Sequence, residues 1–303
     1  MNPRDSLLAA LVAAIWGFNF IVIDWSMEGV PPLLFLAIRF VLVVLPAIFF
    51  IPRPSASWWV VARVGLFMSL GQFGFLYLSI DAGLSPGIAA LVLQAQVVFT
   101  ILIAAGALKE VPTSAQIAGV LAASVGLVLV GVGRGGDTPM PALLLCLAAA
   151  LSWGVGNVLS RASGVKGGLS LTVWSALVVP VPALALSLAL DGPAEIGAAL
   201  AGFGWPAVAG TLYTAGLASL VGYGIFNTLL GRNQPSAVVP WILLVPVVAM
   251  ASAWLLLDEV PTVAESIGAA VMLAGVLVAS RPARSVDVPG KDTMSFPGAG
   301  SPT

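Results

Sequence analysis

Within an apolar run spanning residues 31–51 stands a single arginine, Arg39, in Ala37-Ile38-Arg39-Phe40. No other charge lies so deep in an apolar stretch of this chain, and at 1.5 Å of rise per residue it is about 12 Å from the start of its run. A guanidinium in hydrocarbon costs roughly 2.5 to 3.5 kcal/mol on insertion scales, so it must meet water, a carbonyl, a carboxylate or a route to the interface. No acidic residue sits mid-run to answer it. Two outcomes follow from that arithmetic. Either Arg39 bonds carbonyls of a neighbouring helix or leans toward Asp24 and Glu28, or it holds the carboxylate of a substrate.

Other polar and aromatic groups recur at spacings that could build a binding surface. Trp16 with Asn19, and Trp153 with Asn157, lie three and four residues apart and so project from similar helix faces. An indole offers a face for an aromatic or aliphatic side chain, and an amide serves an amino or carboxyl group. The same "WGFNF" and "WGVGN" segments also suit close helix packing, for which small residues and an interhelical Asn are ordinary devices. Gln94 and Gln96 are about 200° apart around a helix, so at most one faces a cavity, and Gln94 is taken as the candidate. Tyr77, Tyr213 and Tyr223 lie in glycine-rich stretches and either line that cavity or satisfy packing hydroxyls. Trp241 completes the candidate substrate-binding set. Pro240 and Pro246 fall inside one apolar run, freeing the carbonyls of Ser236 and Ile242, and mark a candidate gate or hinge. Pro86 and Pro235 open their runs and are structural starts.

The elements that must position these residues follow from composition. Of 303 residues 59% are hydrophobic and only 8% charged, far below the charged share of a soluble domain. Twelve Lys and Arg against 13 Asp and Glu, without a basic cluster, argue against a nucleic-acid partner. The chain has no histidine, and its one cysteine, Cys146, lies in an apolar run. That removes the commonest general base, the commonest metal ligand and any disulfide framework. No catalytic group, metal or cofactor is expected, and the partners are the lipid bilayer and a small-molecule substrate.

Ten apolar spans of roughly membrane length can be drawn, at 6–25, 31–51, 58–80, 85–107, 113–133, 141–160, 169–190, 205–229, 235–257 and 262–281. Short connections make neighbours antiparallel. The first span is retained rather than cleaved, since "VIDWSMEG" offers no small-residue cleavage site. The expected fold is an all-α integral membrane domain over residues 1–281, with a disordered cytoplasmic tail at 282–303. A cytoplasmic N-terminus puts Arg4, Arg53, Arg63, Lys109, Arg161, Lys166, Arg232, Arg281, Arg284 and Lys291 inside and leaves only Arg134 outside. Both termini are then cytoplasmic, in a cell inner membrane. Trp25, Trp58, Trp59, Trp205 and Trp254 fall near span ends, where indoles sit among headgroups. Trp16 and Trp153 lie near the midplane.

"LKEVPTSAQIAG" (108–119) returns as "LDEVPTVAESIG" (257–268), and between Leu108 and Gly126 a shift of 149 keeps eight of nineteen residues. Pro86 pairs with Pro235 at the same shift, and "IWGFN" with "SWGVGN" at about 137. Two units result, 6–133 and 141–281, each of five helices. Five is odd, so the second copy enters from the opposite side, and equivalent loops must exchange charge. Lys109 becomes Asp258, and the acidic "DWSME" becomes the basic "RASGVK".

The segments "AAIWGFNFI" and "AIRF" with the paired "EVPT" turns resemble the drug/metabolite transporter superfamily, specifically its EamA-type members, over about residues 6–281. That resemblance implies alternating access through a central cavity and, commonly in bacteria, export of amino acids or related metabolites. A carrier of phosphorylated or nucleotide-linked sugars would gather several mid-membrane cations, and a proton-coupled drug exporter would carry a mid-span acid. This chain offers one cation and no such acid. The expected substrate is an aromatic or other large neutral amino acid.

The inverted repeat has a direct test. Reporters fused after Glu110 and after Glu259 should read opposite sides of the membrane, cytoplasmic and periplasmic respectively; the same side for both would overturn the inversion.

Overall fold

A computed structural model describes residues 1–133, 139–165 and 168–280; the expected tail at 282–303 lies outside the described residues. Every regular element among them is helical. Nine helices there are long and apolar enough to cross a membrane: α1 (Pro3–Ser26), α2 (Pro32–Phe50), α3 (Trp58–Asp81), α4 (Pro86–Ala107), α5 (Ser114–Gly133), α6 (Met140–Ala162), α7 (Leu169–Leu190), α8 (Trp205–Arg232) and α9, whose apolar span is Pro240–Leu257 within a helix beginning at Pro235. A shorter apolar helix, α10 (Val263–Ala279), follows. A short helix at Gly192–Ala201, which the spans did not anticipate, joins α7 to α8. The protein is a multi-pass membrane protein.

The repeated turn explains its own sequence. Lys109 and Asp258 both take φ 54°, the left-handed conformation that ends a helix. One residue on, the Glu110 and Glu259 N–H groups reach back six residues to the Ala104 and Ala253 carbonyls, the same closure in both copies. Thr113 and Thr262 then cap α5 and α10. Each hydroxyl accepts from the backbone three residues on, and the Gln116 or Glu265 side chain accepts from the threonine N–H. Conserving "EVPT" while exchanging Lys109 for Asp258 therefore keeps the backbone device and changes only the charge.

The two helices launched by these turns cross through glycine. A Cβ added at Gly119 would stand 2.6 Å from the Gly275 carbonyl oxygen, and one at Gly275 would stand 2.7 Å from that of Gly119. Gly126 and Gly268 meet in the same reciprocal way, at 2.6 and 2.8 Å. As residue numbers rise on α5 they fall on α10, so these equivalent helices run antiparallel. This is the relation that an inverted repeat requires.

The first helix of each half packs on the opposite half. Gly17 of α1 lies against Val248 of α9, and Gly154 of α6 lies against Phe99 of α4. Those pairs correspond under the two sequence shifts. Contacts between chain ends sort the loops into two sets. At the amino-terminal end Asn233 bonds Asp5, Ser170 bonds the Pro52 carbonyl and Arg161 pairs with Glu110. At the far end Ser79 bonds the Ala142 carbonyl and Ser85 bonds Glu259. Consecutive helices thus alternate in direction.

Helices α3 and α8 each contain a π-helical segment, Leu66–Gly71 and Tyr213–Val221, at equivalent places. Helices α4 and α9 each break at equivalent places too, between Val92 and Ala95 and between Ile242 and Leu244. The α4 break contains no proline, so proline is not its cause. Pro246 sits in the first turn of the segment after the α9 break, where a missing N–H costs little, while Pro240 lies inside the segment before it.

Glycine at the α5/α10 crossing should be irreplaceable. Gly126→Val is expected to cost at least about 1 to 3 kcal/mol and to abolish monodisperse purification. Gly106→Val, at a position with nothing within 4 Å, should purify and melt like the parent. Size-exclusion profiles and thermal melts compare them.

Candidate functional site

The π segment of α8 is where both halves meet polar side chains. Its widened turns leave carbonyls open to outside donors, a common use of π segments at functional positions. The indole Nε1–H of Trp16 donates to the Ala218 carbonyl at 2.8 Å, and Nη2 of Arg39 donates to Oγ of the next residue, Ser219, at 3.0 Å. Consecutive residues of α8 therefore hold α1 and α2. Gly222 abuts the Trp16 nitrogen, and Tyr223 and Phe226 face the indole at centroid separations of 5.0 and 5.3 Å.

The mirror arrangement occupies the π segment of α3. There Ser152, the neighbour of Trp153, donates to the Phe67 carbonyl at 2.8 Å, beside Gly71. Each first helix thus bonds a carbonyl in the opposite half's π segment. The donors differ, an indole in one half and a hydroxyl in the other, and Trp153 packs against the apolar core.

Arg39 is only 3% exposed. It bonds neither helix carbonyls nor Asp24 or Glu28, the two protein partners considered from sequence. Nη1 donates to the Tyr77 hydroxyl at 2.5 Å, Nη2 to Ser219, and the guanidinium lies 4.4 Å from the Phe73 ring centroid. Aromatic faces attract a desolvated cation by up to about 2 kcal/mol, which helps explain its burial. Among the described residues no carboxylate lies within ion-pair distance of it. Its Nε–H is buried without a hydrogen-bond partner. Among the described residues, the Oδ1 of Asn19, a residue 7% exposed, is the other buried side-chain nitrogen or oxygen left without a hydrogen bond. One is an unused donor on a cation, the other an unused acceptor one helical turn from Trp16.

The remaining candidates distribute around this centre. Tyr77 is fully buried and stacks on Phe35. Tyr213 donates to the Ile15 carbonyl at 3.0 Å and so ties α8 to α1. Asn157 donates to Gln96 at 2.8 Å and to Thr100 at 3.2 Å, in a separate polar cluster between α6 and α4. Gln94 occupies the N-cap position after the α4 break without a side-chain cap bond, whereas Gln96 joins the polar network with Asn157. Trp241 packs with Ala9, Leu229 and Val238, in the cluster that also holds Phe226. On α4 residues 86–95 are all buried and 96–101 all half-buried, so packing loosens toward that end.

Ser219 and the π segments were not singled out from sequence. A signal for them exists: "SLGQFGF" (69–75) and "SLVGYGI" (219–225) match at a shift of 150. Asp24, Asp81, Glu110, Asp258 and Glu259 all lie at helix ends, as their sequence positions indicated. Among the described residues no group of His, Cys, Asp and Glu could hold a metal ion.

Comparison with known proteins agrees with this architecture. The model of the EamA-like transporter family matches residues 5–132 and 140–281. A protein of Escherichia coli strain K12 named "Probable amino-acid metabolite efflux pump" is 40% identical over 284 residues, 92% of this chain and 95% of the relative. A Salmonella typhimurium protein of the same name has the same identity and coverage. A solved crystal structure 21% identical in sequence superposes with a TM-score of 0.53, over 92% of this chain and 99% of that one, and shares the fold. Two matched segments covering nearly all the described residues, together with these relatives, establish that the chain belongs to the EamA-like transporter family.

Proposed function

We propose that this chain is a secondary transporter of the inner membrane that exports amino acids, preferring aromatic and other large neutral side chains, by alternating access between its two halves. The observation that carries the reading is Arg39: a buried cation with an unpaired Nε–H and no carboxylate partner, placed between the halves. A substrate carboxylate supplies the missing charge. Asn19 Oδ1 is an acceptor for the substrate ammonium, and Trp16, Tyr223 and Phe226 offer faces for an apolar side chain. The relatives' names, "Probable amino-acid metabolite efflux pump", point to the same cargo and to export.

Orientation and gating belong to the same proposal. Arg4, Arg53, Arg63, Lys109, Arg161 and Arg232 all fall at the end of the bundle that holds the amino terminus, and the positive-inside rule supports a cytoplasmic location for that end. The paired breaks in α4 and α9, the latter flanked by Pro240 and Pro246, are the flexible points about which a gate opens. Tyr77, Gln94, Trp153, Asn157, Tyr213 and Trp241 line or support the path. A single deep cation is too little for a doubly charged phosphate, so a sugar-phosphate carrier fits less well.

Purified protein in liposomes tests the cargo and the role of Arg39. Arg39→Gln should reduce transport of L-phenylalanine about 10-fold or more, the worth of a hydrogen bond to a charged group, and reduce transport of its carboxyl amide much less. Equal losses for both would overturn the carboxylate role. Trp16→Ala should lower phenylalanine transport well below that of Trp58→Ala, whose ring is half exposed beneath Arg53 near a helix end. Equal rates for the two variants would remove Trp16 from the site.

A further inference from the structure

We infer that Ser219 is an internal stand-in for the substrate at Arg39: its hydroxyl occupies the guanidinium in the empty carrier, and a substrate carboxylate displaces it, unlatching α8 from α2. The inference rests on the proposed function and specifies how binding at that site is communicated.

The geometry fits a replaceable ligand. Ser219 Oγ has one hydrogen, which it donates to the Thr214 carbonyl at 2.7 Å, so toward Arg39 it acts purely as acceptor at 3.0 Å. That is the role a carboxylate oxygen would take. The acceptor is neutral, whereas charge-assisted bonds to a carboxylate are shorter and about twice as strong. The vacant Nε–H adds a second donor for a two-oxygen ligand that a single hydroxyl cannot fill. A carboxylate therefore outcompetes Ser219 on both charge and valence.

The two bonds of the guanidinium differ in what they join. Tyr77 lies on α3, in the same half as Arg39, so the Nη1 bond is internal to that half. Ser219 lies on α8, so the Nη2 bond crosses between the halves. Exchange at Nη2 removes a cross-half tie at the π segment while Tyr77 keeps the guanidinium in place. Binding is thus linked to the contact between halves, and the latch taxes affinity in the empty state.

The sign of one substitution decides it. Purified full-length protein is titrated with radiolabelled L-phenylalanine and with L-phenylalaninamide. Ser219→Ala should bind phenylalanine roughly 2- to 10-fold more tightly, the strength of the lost hydrogen bond, with no gain for the amide. Ser219→Thr, which keeps the hydroxyl, should bind as wild type. Ser219→Cys, of similar volume and with a weaker acceptor, should fall between wild type and alanine and decides the matter if alanine does not fold. Ser152→Ala, which removes a cross-half bond at the other π segment but leaves Arg39 untouched, should give no gain. Unchanged or weakened binding by both Ser219→Ala and Ser219→Cys, with wild type binding normally, would overturn the latch alone. A wild-type protein that binds no amino acid would instead overturn the functional reading and the latch with it.

Discussion

The architecture depends on backbones of opposite halves touching where glycine removes the side chain. In lipid, apolar residues gain little by leaving one apolar surroundings for another, so helices associate through close packing and hydrogen bonds. Gly119 and Gly126 meet Gly275 and Gly268 carbonyl to Cα face, and Gly17 and Gly154 seat α1 and α6 against the opposite half. These approaches fix how the halves interlock. With α1 lying on α9 and α8, the Trp16 N–H reaches the Ala218 carbonyl in the π segment, beside Ser219.

A buried guanidinium is tolerated there because three weak accommodations act together. Two hydroxyls accept from it, and the rings of Phe73, Phe40 and Tyr77 surround it at 4.4 to 6.0 Å. None of these neutralises the charge. Pairing it with a protein carboxylate would have been the stable solution for a structural arginine, since an unpaired buried charge is the expensive arrangement. The Arg161–Glu110 pair, each side chain about half exposed at 51% and 50%, shows the contrary case of an arginine whose partner is close and whose contribution is small. Arg39 therefore remains costly in the empty protein, a cost that the substrate carboxylate of the proposed function would offset.

Much of the fold was legible because the features that set it are local. The "EVPT" turns combine a left-handed cap, a proline and a threonine cap within a few residues, and their repetition exposed the two units. The depth of Arg39 followed from counting. Its partners did not, because Tyr77 and Ser219 lie 38 and 180 residues away and become neighbours only through helix crossings. Periodicity could not choose between Gln94 and Gln96 either, since the α4 break changes the phase between them. The π segments escaped for a similar reason: one extra residue per turn leaves composition untouched and shows only when "SLGQFGF" is set against "SLVGYGI".

A symmetric frame with an asymmetric centre has a mechanical consequence. Both π segments offer a carbonyl to the opposite first helix, but one receives the bulky indole of Trp16 and the other the short hydroxyl of Ser152. Arg39 reaches only the α8 segment. The α8 π segment therefore meets the cation and Trp16, one turn from the unpaired Asn19 oxygen, while the α3 π segment is filled by Ser152 and by Gly156 packed onto Met68. On the function proposed above, Arg39, Asn19 and Trp16 of the first half and Tyr223 and Phe226 of α8 would meet a small zwitterion at this one contact. Because the equivalent contact between α6 and α3 has no counterpart of Arg39, the proposed exchange of packing between the halves would offer such a substrate no second, competing pose.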